Sequence, residues 1–195
     1  TVANITSIDG LTTTEVSMAG ATVSIADTGA SKAQVDTVNG FTTGTVTPTS
    51  ISEDKADIAT LQGTTGISLA TTNITVTDQV NKSEADTIND YTTGQVVLNS
   101  SSMTVTELAV VEALNDSVMK FADNGAISVS DAANLTNANT INNYTTGQVT
   151  LTSVSDTVAN ITSIDGLTTT EVSMAGATVS IADTGASKAQ VDTVN

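Results

Sequence analysis

Acidic residues recur at a regular interval along this chain, and regularly spaced carboxylates could bind cations. They follow short apolar runs at steps of about 26 residues or twice that, with threonine or serine taking the place near residue 104. If the runs stack as neighbouring strands, roughly 4.8 Å apart, the carboxylates repel one another unless a cation such as calcium bridges them. The predicted calcium ligands are Asp27, Asp78, Asp131, Asp156 and Asp183; Glu53 occupies an equivalent place.

The same aspartates have a purely structural alternative. Aspartate accepts hydrogen bonds from the free N–H groups at the start of a helix, and each of these residues precedes a segment that favours a short helix. Neither the glycine–aspartate signature of calcium-binding β-rolls nor the EF-hand loop occurs in the sequence. Calcium binding and helix capping are therefore competing predictions for the same positions.

Paired threonines are the second feature that could bind a ligand. An uncharged outward face of a sheet explains Thr-x-Thr pairs through strand propensity alone, whereas a regular hydroxyl ladder would suit ice or a glycan. The pairs are missing from the equivalent runs TVSIA (22–26) and AISVS (126–130), which favours the structural explanation. The four pairs are Thr47/Thr49, Thr75/Thr77, Thr104/Thr106 and Thr150/Thr152.

The sequence lacks most of the residue types that enzymes use in catalysis. The chain contains no histidine and no cysteine, so it lacks the usual general bases and nucleophile pairs. It also contains no arginine, the usual clamp for phosphates and carboxylates. Paired carboxylates could cleave glycosides, but these acids recur with the repeat, whereas an active site is expected once. The sequence therefore predicts a protein that is not an enzyme.

The charge balance excludes two classes of partner. Five lysines stand against 21 acidic residues, giving a formal net charge of −16. Nucleic acid and anionic membrane surfaces both attract clusters of basic residues, so neither is expected to bind. No run approaches the 18 apolar residues of a membrane span. Aromatic residues make up only 2%, so any core must consist of small aliphatic side chains.

Internal repeats dominate the sequence. The stretch TINDYTTGQV at 87–96 returns as TINNYTTGQV at 140–149 and, more loosely, as TVNGFTTGTV at 37–46. Residues 1–39 are identical to residues 157–195, an offset of 156. We therefore predict that residues 1–195 are one repeat array, an excerpt of a longer chain. Its approximate 52-residue repeats are 1–36, 37–86, 87–139 and 140–192.

Each repeat divides into two similar halves. Every half contains apolar residues three apart, as in Ile5, Ile8 and Leu11, a spacing that suits a short helix with one buried face. Two short alternating runs follow and are predicted to be strands. A 26-residue unit cannot bury its own apolar face, so copies must stack. The sequence predicts a mainly-β fold, a β-solenoid of stacked ~26-residue coils with two short strands and one short helix per coil. Phe41, Tyr91 and Tyr144 are expected to form a stacked column.

The repeat unit also resembles a known kind of protein. Its pattern V-x-D…A-D-T-I-N-x-Y-T-T-G-x-V, with Val76, Asp78 and the segment 85–96, is similar to the giant repetitive cell-surface and type I-secreted proteins of marine bacteria and cyanobacteria. The resemblance implies an extracellular location, a structural or adhesive role, and frequent calcium dependence. The chain departs from the calcium-roll members because it lacks their glycine–aspartate signature.

These observations predict a non-enzymatic structural segment of an extracellular bacterial filament, surface layer or long adhesin, acting as a stiff rod. The expected partners are copies of the chain itself, arranged end to end or side by side. One alternative is a binding module that uses the Thr/Ser-rich sheet face to hold a glycan or ice. Another is the stalk of a calcium-binding adhesin.

Overall fold

Helices and strands alternate along the chain in the computed structural model, which describes residues 1–11, 16–114, 118–167 and 171–194. The helices are α1 Val2–Asp9, α2 Lys32–Asn39, α3 Lys55–Gly63, α4 Lys82–Asn89, α5 Val105–Ala113, α6 Leu135–Asn142, α7 Val158–Gly166 and α8 Lys188–Thr193. The strands are β1 Val23–Ile25, β2 Val46–Pro48, β3 Ser50–Glu53, β4 Asn73–Val80, β5 Val96–Met103, β6 Met119–Ala133, β7 Val149–Asp156, β8 Val172–Ser173 and β9 Thr178–Ile181. We call one helix, with the strand segment that follows it, a half-repeat.

The fold is α/β, with a seven-stranded parallel sheet and eight helices among the described residues. Helix accounts for 35% and strand for 31%, so the predicted mainly-β solenoid is wrong. The described helices are short, as the three-residue spacing predicts, at six to nine residues, and polar caps begin most of them. Ser31 and Thr104, for example, form capping boxes with Gln34 and Glu107.

The positions of the predicted helices are confirmed. In six of them the two apolar residues three apart are buried, and burial of that one face orients each helix. These pairs are Val35/Val38, Ala85/Ile88, Ile58/Leu61, Leu108/Val111, Ala138/Ile141 and Ile161/Ile164.

The prediction of two strands in every half-repeat is wrong. The run at 66–78 gives one strand, β4, and its first part contributes only an isolated bridge between Ile67 and Val46. The run at 148–156 also gives a single strand, β7. The run at 15–27 gives the three-residue β1, and its first residue, Glu15, lies outside the described residues. Its copy forms two short strands, β8 and β9, and the half-repeat of α2 also forms two, β2 and β3.

The chain divides into two compact units. The first holds the described residues of 1–78, 83–97 and 116–119. In this unit β1 pairs with β2 and β3 pairs with β4, both in parallel, which places Ile51 opposite Ile74. Both isoleucines are buried, so the core consists of the small aliphatic side chains that the composition predicts.

The second unit holds the described residues of 79–82, 98–115 and 120–195. Here β7 pairs in parallel with β6, and along its length with β8 and then β9. The β6–β7 register shifts between Val129 and Ala132. Val129, Leu151 and Val154 are fully buried.

The aromatic residues do not follow the predicted column. Tyr144 stacks on Phe121, with ring centroids 6.2 Å apart and planes 9° from parallel; Phe121 was not predicted to take part. Phe41 and Tyr91 are half-buried. Within the described ranges, every helix is too short or too polar to cross a bilayer.

Candidate functional site

Each of the five predicted metal ligands accepts a hydrogen bond from the first N–H of a helix that began 21–26 residues earlier. The carboxylate lies within two residues of the end of a strand, and the helix belongs to the half-repeat that this strand completes. The Glu53 carboxylate likewise accepts a hydrogen bond from Lys32 N, the first N–H of α2, at 2.5 Å. We call this arrangement the carboxylate–helix contact. Its N···O distances are 2.5 Å for Asp27 with Val2, 2.9 Å for Asp78 with Lys55, 2.8 Å for Asp131 with Val105, 2.9 Å for Asp156 with Leu135 and 2.7 Å for Asp183 with Val158.

This geometry supports the capping alternative but changes which helix is capped. The helix that follows Asp27, Asp131, Asp156 or Asp183 has its own cap; the Ser31 and Thr157 side chains, for instance, accept from Gln34 N and Asn160 N. The aspartate instead accepts a hydrogen bond from the helix that precedes it in the chain. A negative charge at the N-terminus of that helix is favourable. Each carboxylate therefore ties the end of a half-repeat to its beginning.

The aspartates do not come together as a calcium site. Across the described ranges, no three or more acidic side chains are placed where they could hold a metal ion. Calcium takes six to eight oxygen ligands, and each of the five carboxylates already uses an oxygen on a helix N–H. As they stand, these residues do not fit the ion that the resemblance implies.

The repeated Thr-Thr-Gly segment makes a second type of contact, which the sequence analysis did not assign. The hydroxyl of its first threonine donates to a backbone carbonyl 20–21 residues earlier, and the same oxygen accepts from the N–H of the glycine two residues later. The Oγ1···O distance is 2.6 Å in all three copies: Thr42 with Ala21, Thr92 with Thr72 and Thr145 with Gly125. Thr42 and Thr145 are buried, so these hydroxyls need the bonds they make.

The glycine of the segment lies against that same earlier backbone. A Cβ on Gly44, Gly94 or Gly147 would come within 2.3–2.4 Å of a carbonyl oxygen, much closer than non-bonded atoms approach. The requirement for glycine here is close approach of two chains. The Thr-Thr-Gly segment therefore recurs because every copy packs on the backbone of the preceding half-repeat.

The paired threonines are only partly on strands. Thr75 lies beside Ser52 and Thr150 beside Ser128 on neighbouring strands, so hydroxyls do line up across each of these pairs. Thr104 and Thr106 were predicted on a strand, which is wrong, since Thr104 is the N-cap of α5 and Thr106 lies within that helix. Their hydroxyl pattern is the signature of a helix start.

A cleft of about 420 Å³ in the second unit lies beside a repeated Thr-Thr-Gly segment. The Glu171 carboxylate in this cleft accepts from Asn142 Nδ2 at 3.0 Å, and Asp123 lies 3.8 Å from Lys120. Burial raises the pKa of Tyr144 above its ordinary value, with a smaller contribution from Glu112, so its phenol stays protonated. Among the residues lining the cleft, no nucleophile is paired with a base. The lining residues are Asp123, Asn142, Asn143, Tyr144, Thr145, Thr146 and Glu171.

The chain is thus an α/β protein in which recurring aspartates join the two ends of one half-repeat, and recurring Thr-Thr-Gly segments join one half-repeat to the preceding one. No protein-family model, curated protein or solved structure matches the chain. Its function is therefore inferred from its own residues.

Asp156 gives a test of the carboxylate–helix contact. Its carboxylate accepts from Leu135 N, Thr157 N and Asn160 Nδ2, and the Leu135 bond is the main reason that its pKa is lowered. We expect Asp156→Ala to lower the free energy of unfolding by about 1–2 kcal/mol at neutral pH, as for other lost helix caps. Asp123→Ala removes the same charge from an exposed side chain and is expected to change it by less than about 0.5 kcal/mol.

The difference in stability between these two variants is expected to depend on pH. Because the folded pKa of Asp156 lies below its unfolded value of about 3.9, its contribution is complete above that pH and is lost as the pH falls through the folded pKa. The stability gap between Asp156→Ala and Asp123→Ala should therefore narrow below about pH 4. Urea unfolding at neutral and acidic pH measures this gap, and a gap that is constant with pH would contradict the assigned role.

Comparing the melting temperature in calcium with that in a chelator tests the prediction that the aspartates bind calcium. Because each aspartate already accepts from a helix, we expect the melting temperature to move by less than about 1 °C between excess calcium and excess chelator, since a ligand stabilises only the state that binds it. Differential scanning calorimetry measures the shift. A rise of several degrees with calcium, abolished by Asp131→Asn, would instead establish the aspartates as ligands.

Proposed function

We propose that this chain is a non-enzymatic structural segment of an extracellular bacterial filament, surface layer or long adhesin. In this role it acts as a spacer whose extent is set by the number of repeats. Copies of the chain itself are its expected partners. The extracellular location rests on the resemblance of the repeat unit and on the acidic composition.

One observation carries the proposal: the Thr-Thr-Gly segments, which recur in three copies, join one half-repeat to the preceding one. Thr92 and Gly94 contact the backbone at Thr72, and Thr145 and Gly147 repeat that arrangement elsewhere in the chain. A binding or catalytic site would be expected to require particular residues at one place. Here the recurring residues are used in packing one half-repeat on another, which suits a protein that grows by adding copies.

The surface charge supports the same role. With a net charge of −16, neighbouring molecules repel one another at low ionic strength, which keeps long acidic arrays soluble. Lys55 of α3 lies 2.9 Å from Glu84 of α4, and Lys32 lies 2.6 Å from Asp36 within α2. These hydrogen-bonded carboxylates raise the pKa of both lysines above the usual value.

The binding-module alternative has one observation in its favour. Hydroxyl side chains face one another on the strand pairs, at Ser24 with Thr47, Ser52 with Thr75, and Ser155 with Ser180. An uncharged polar surface on so acidic a chain is suited to a neutral ligand such as a glycan or ice. Thermal hysteresis, or retention on a glycan array that is lost on Thr75→Lys, would favour this alternative.

Arrays with increasing numbers of the 156-residue block test the structural proposal. Small-angle scattering should give a maximum dimension that grows by a constant increment per block. The urea midpoint should rise with the first added blocks and then level off, because each interface adds a nearest-neighbour term. A dimension that stops growing with copy number would overturn the spacer role.

A further inference from the structure

The outward face of the sheet in the first unit contains a groove of about 420 Å³, a volume within the usual range for small-ligand sites. Ile51 and Ile74 are buried on the inner face, so their neighbours along β3 and β4 lie on the outward face. We call this cavity the sheet groove; its polar lining residues are Thr28, Ser50, Ser52, Asn73, Thr75 and Gln95. All the described residues that line it are uncharged. On a chain with a net charge of −16, such a groove suits a neutral ligand.

Three side chains on the strands give the sheet groove hydrogen-bonding groups in fixed places. Ser52 and Thr75 are register partners on β3 and β4, so they stand about one strand spacing, roughly 4.8 Å, apart. Both are half-buried. Asn73 Oδ1 accepts from Gln95 N at 2.9 Å, which orients the amide and leaves Nδ2 as a donor. Hydroxyls both donate and accept, so this set matches a ligand that is itself rich in hydroxyls.

Two residues of the sheet groove change in the repeat that follows. Asn73 corresponds to Ala126, since the two precede the matching runs ITVTD and ISVSD. Gly29, three residues before α2, corresponds to Gln79, three residues before α4. Gly29 has a φ of +65°, and a Cβ there would lie 3.4 Å from Ser52 Cβ, so a long side chain would narrow this end of the groove. The lining therefore depends on particular residues at one place, as a binding site requires.

We infer that the sheet groove binds a neutral oligosaccharide. Ser52, Asn73 and Thr75 hydrogen-bond its hydroxyls, and Val97, a half-buried residue of the lining, packs against the C–H face of a sugar ring. Ice would require a flat and regular ladder of hydroxyls, whereas this surface is concave and its rows end in Gln95 and Val97. The inference goes beyond the spacer role and is independent of it, because the Thr-Thr-Gly contacts that support that role lie outside the groove.

An NMR titration of the ¹⁵N-labelled 195-residue chain tests the inference, with trisaccharides of glucose, galactose and N-acetylglucosamine as probes. We expect saturable shifts of β3 and β4 amides with at least one of them. Thr75→Lys should raise the dissociation constant about tenfold or more, because the longer side chain fills the groove. Asn73→Ala removes one donor and should raise it about two- to tenfold. Ser128→Lys, at the equivalent position of β6, is the matched control and should leave it unchanged.

A sulfated form of the bound trisaccharide gives a further comparison. It should bind more weakly at low ionic strength, because the chain repels anions. Circular dichroism checks that the three variants fold as the parent does. An absence of saturable shifts with all three neutral probes, equal losses in Thr75→Lys and Ser128→Lys, or thermal hysteresis that Thr75→Lys abolishes would each overturn the inference. The copy-number series on covalent arrays tests the spacer proposal separately, so the two can fail independently.

Discussion

Replacing Gly147 with alanine is expected to lower the free energy of unfolding by about 3 kcal/mol, the upper part of the range for overpacked sites. The added Cβ would lie 2.4 Å from the carbonyl oxygens of both Asn124 and Gly125. A flexible side chain could rotate away from such a clash, but these are backbone atoms within β6. Relief requires β6 to move away, which stretches the 2.6 Å bond from the Thr145 hydroxyl to Gly125.

Gly166 supplies the matched control. It lies at the end of α7 in the same unit, and a Cβ there would meet no atom within 4 Å. Gly166→Ala should therefore be neutral or stabilise the protein by up to about 1 kcal/mol, because alanine favours helix over glycine. Urea unfolding of both variants, with equal m values, isolates the change in stability. Equal effects for the two substitutions would mean that the close approach at Gly147 has no energetic consequence.

The helices of this fold could be predicted from the sequence, because their signals are local. Apolar residues three apart, as in Ile161 and Ile164, together with a polar residue one turn earlier, indicate where a helix lies and which face it buries. The identity of residues 1–39 with 157–195 likewise indicated a repeat array. The fold class was wrong because alternation alone does not say which run finds a strand partner. Leu69 is buried in a run of the right pattern, yet it lies outside the strands, where its carbonyl accepts from Thr72 N at the start of a turn.

The contacts of the candidate site could be predicted only in part. A carboxylate at Asp131 indicated helix capping, but only the topology reveals that the capped helix is α5, 26 residues earlier. Glycine at the same place in three Thr-Thr-Gly segments indicated a backbone requirement. The sequence does not say which backbone comes near, since the partner of Gly94 is Thr72, in a part of the repeat with no distinctive motif. Long-range contacts of this kind depend on register, which is set by the whole sheet.

The second large effect is expected at Ile164, and the chain contains its own control. Ile164→Ala should lower the free energy of unfolding by about 2–5 kcal/mol, because the fully buried side chain leaves a cavity where α6 and α8 pack on α7. Ile8 has the same neighbours in sequence but is 43% exposed. Ile8→Ala removes the same atoms, yet it should cost under about 1 kcal/mol in dilute solution, since solvent already reaches the site.

The comparison of Ile164→Ala with Ile8→Ala separates the effect of burial from that of helix propensity. Both substitutions place alanine in the same helical sequence, so any gain in propensity is the same and cancels in the comparison. Thermal unfolding at low protein concentration measures both costs. Equal costs in dilute solution would mean that the neighbouring helices contribute little to the stability of a half-repeat.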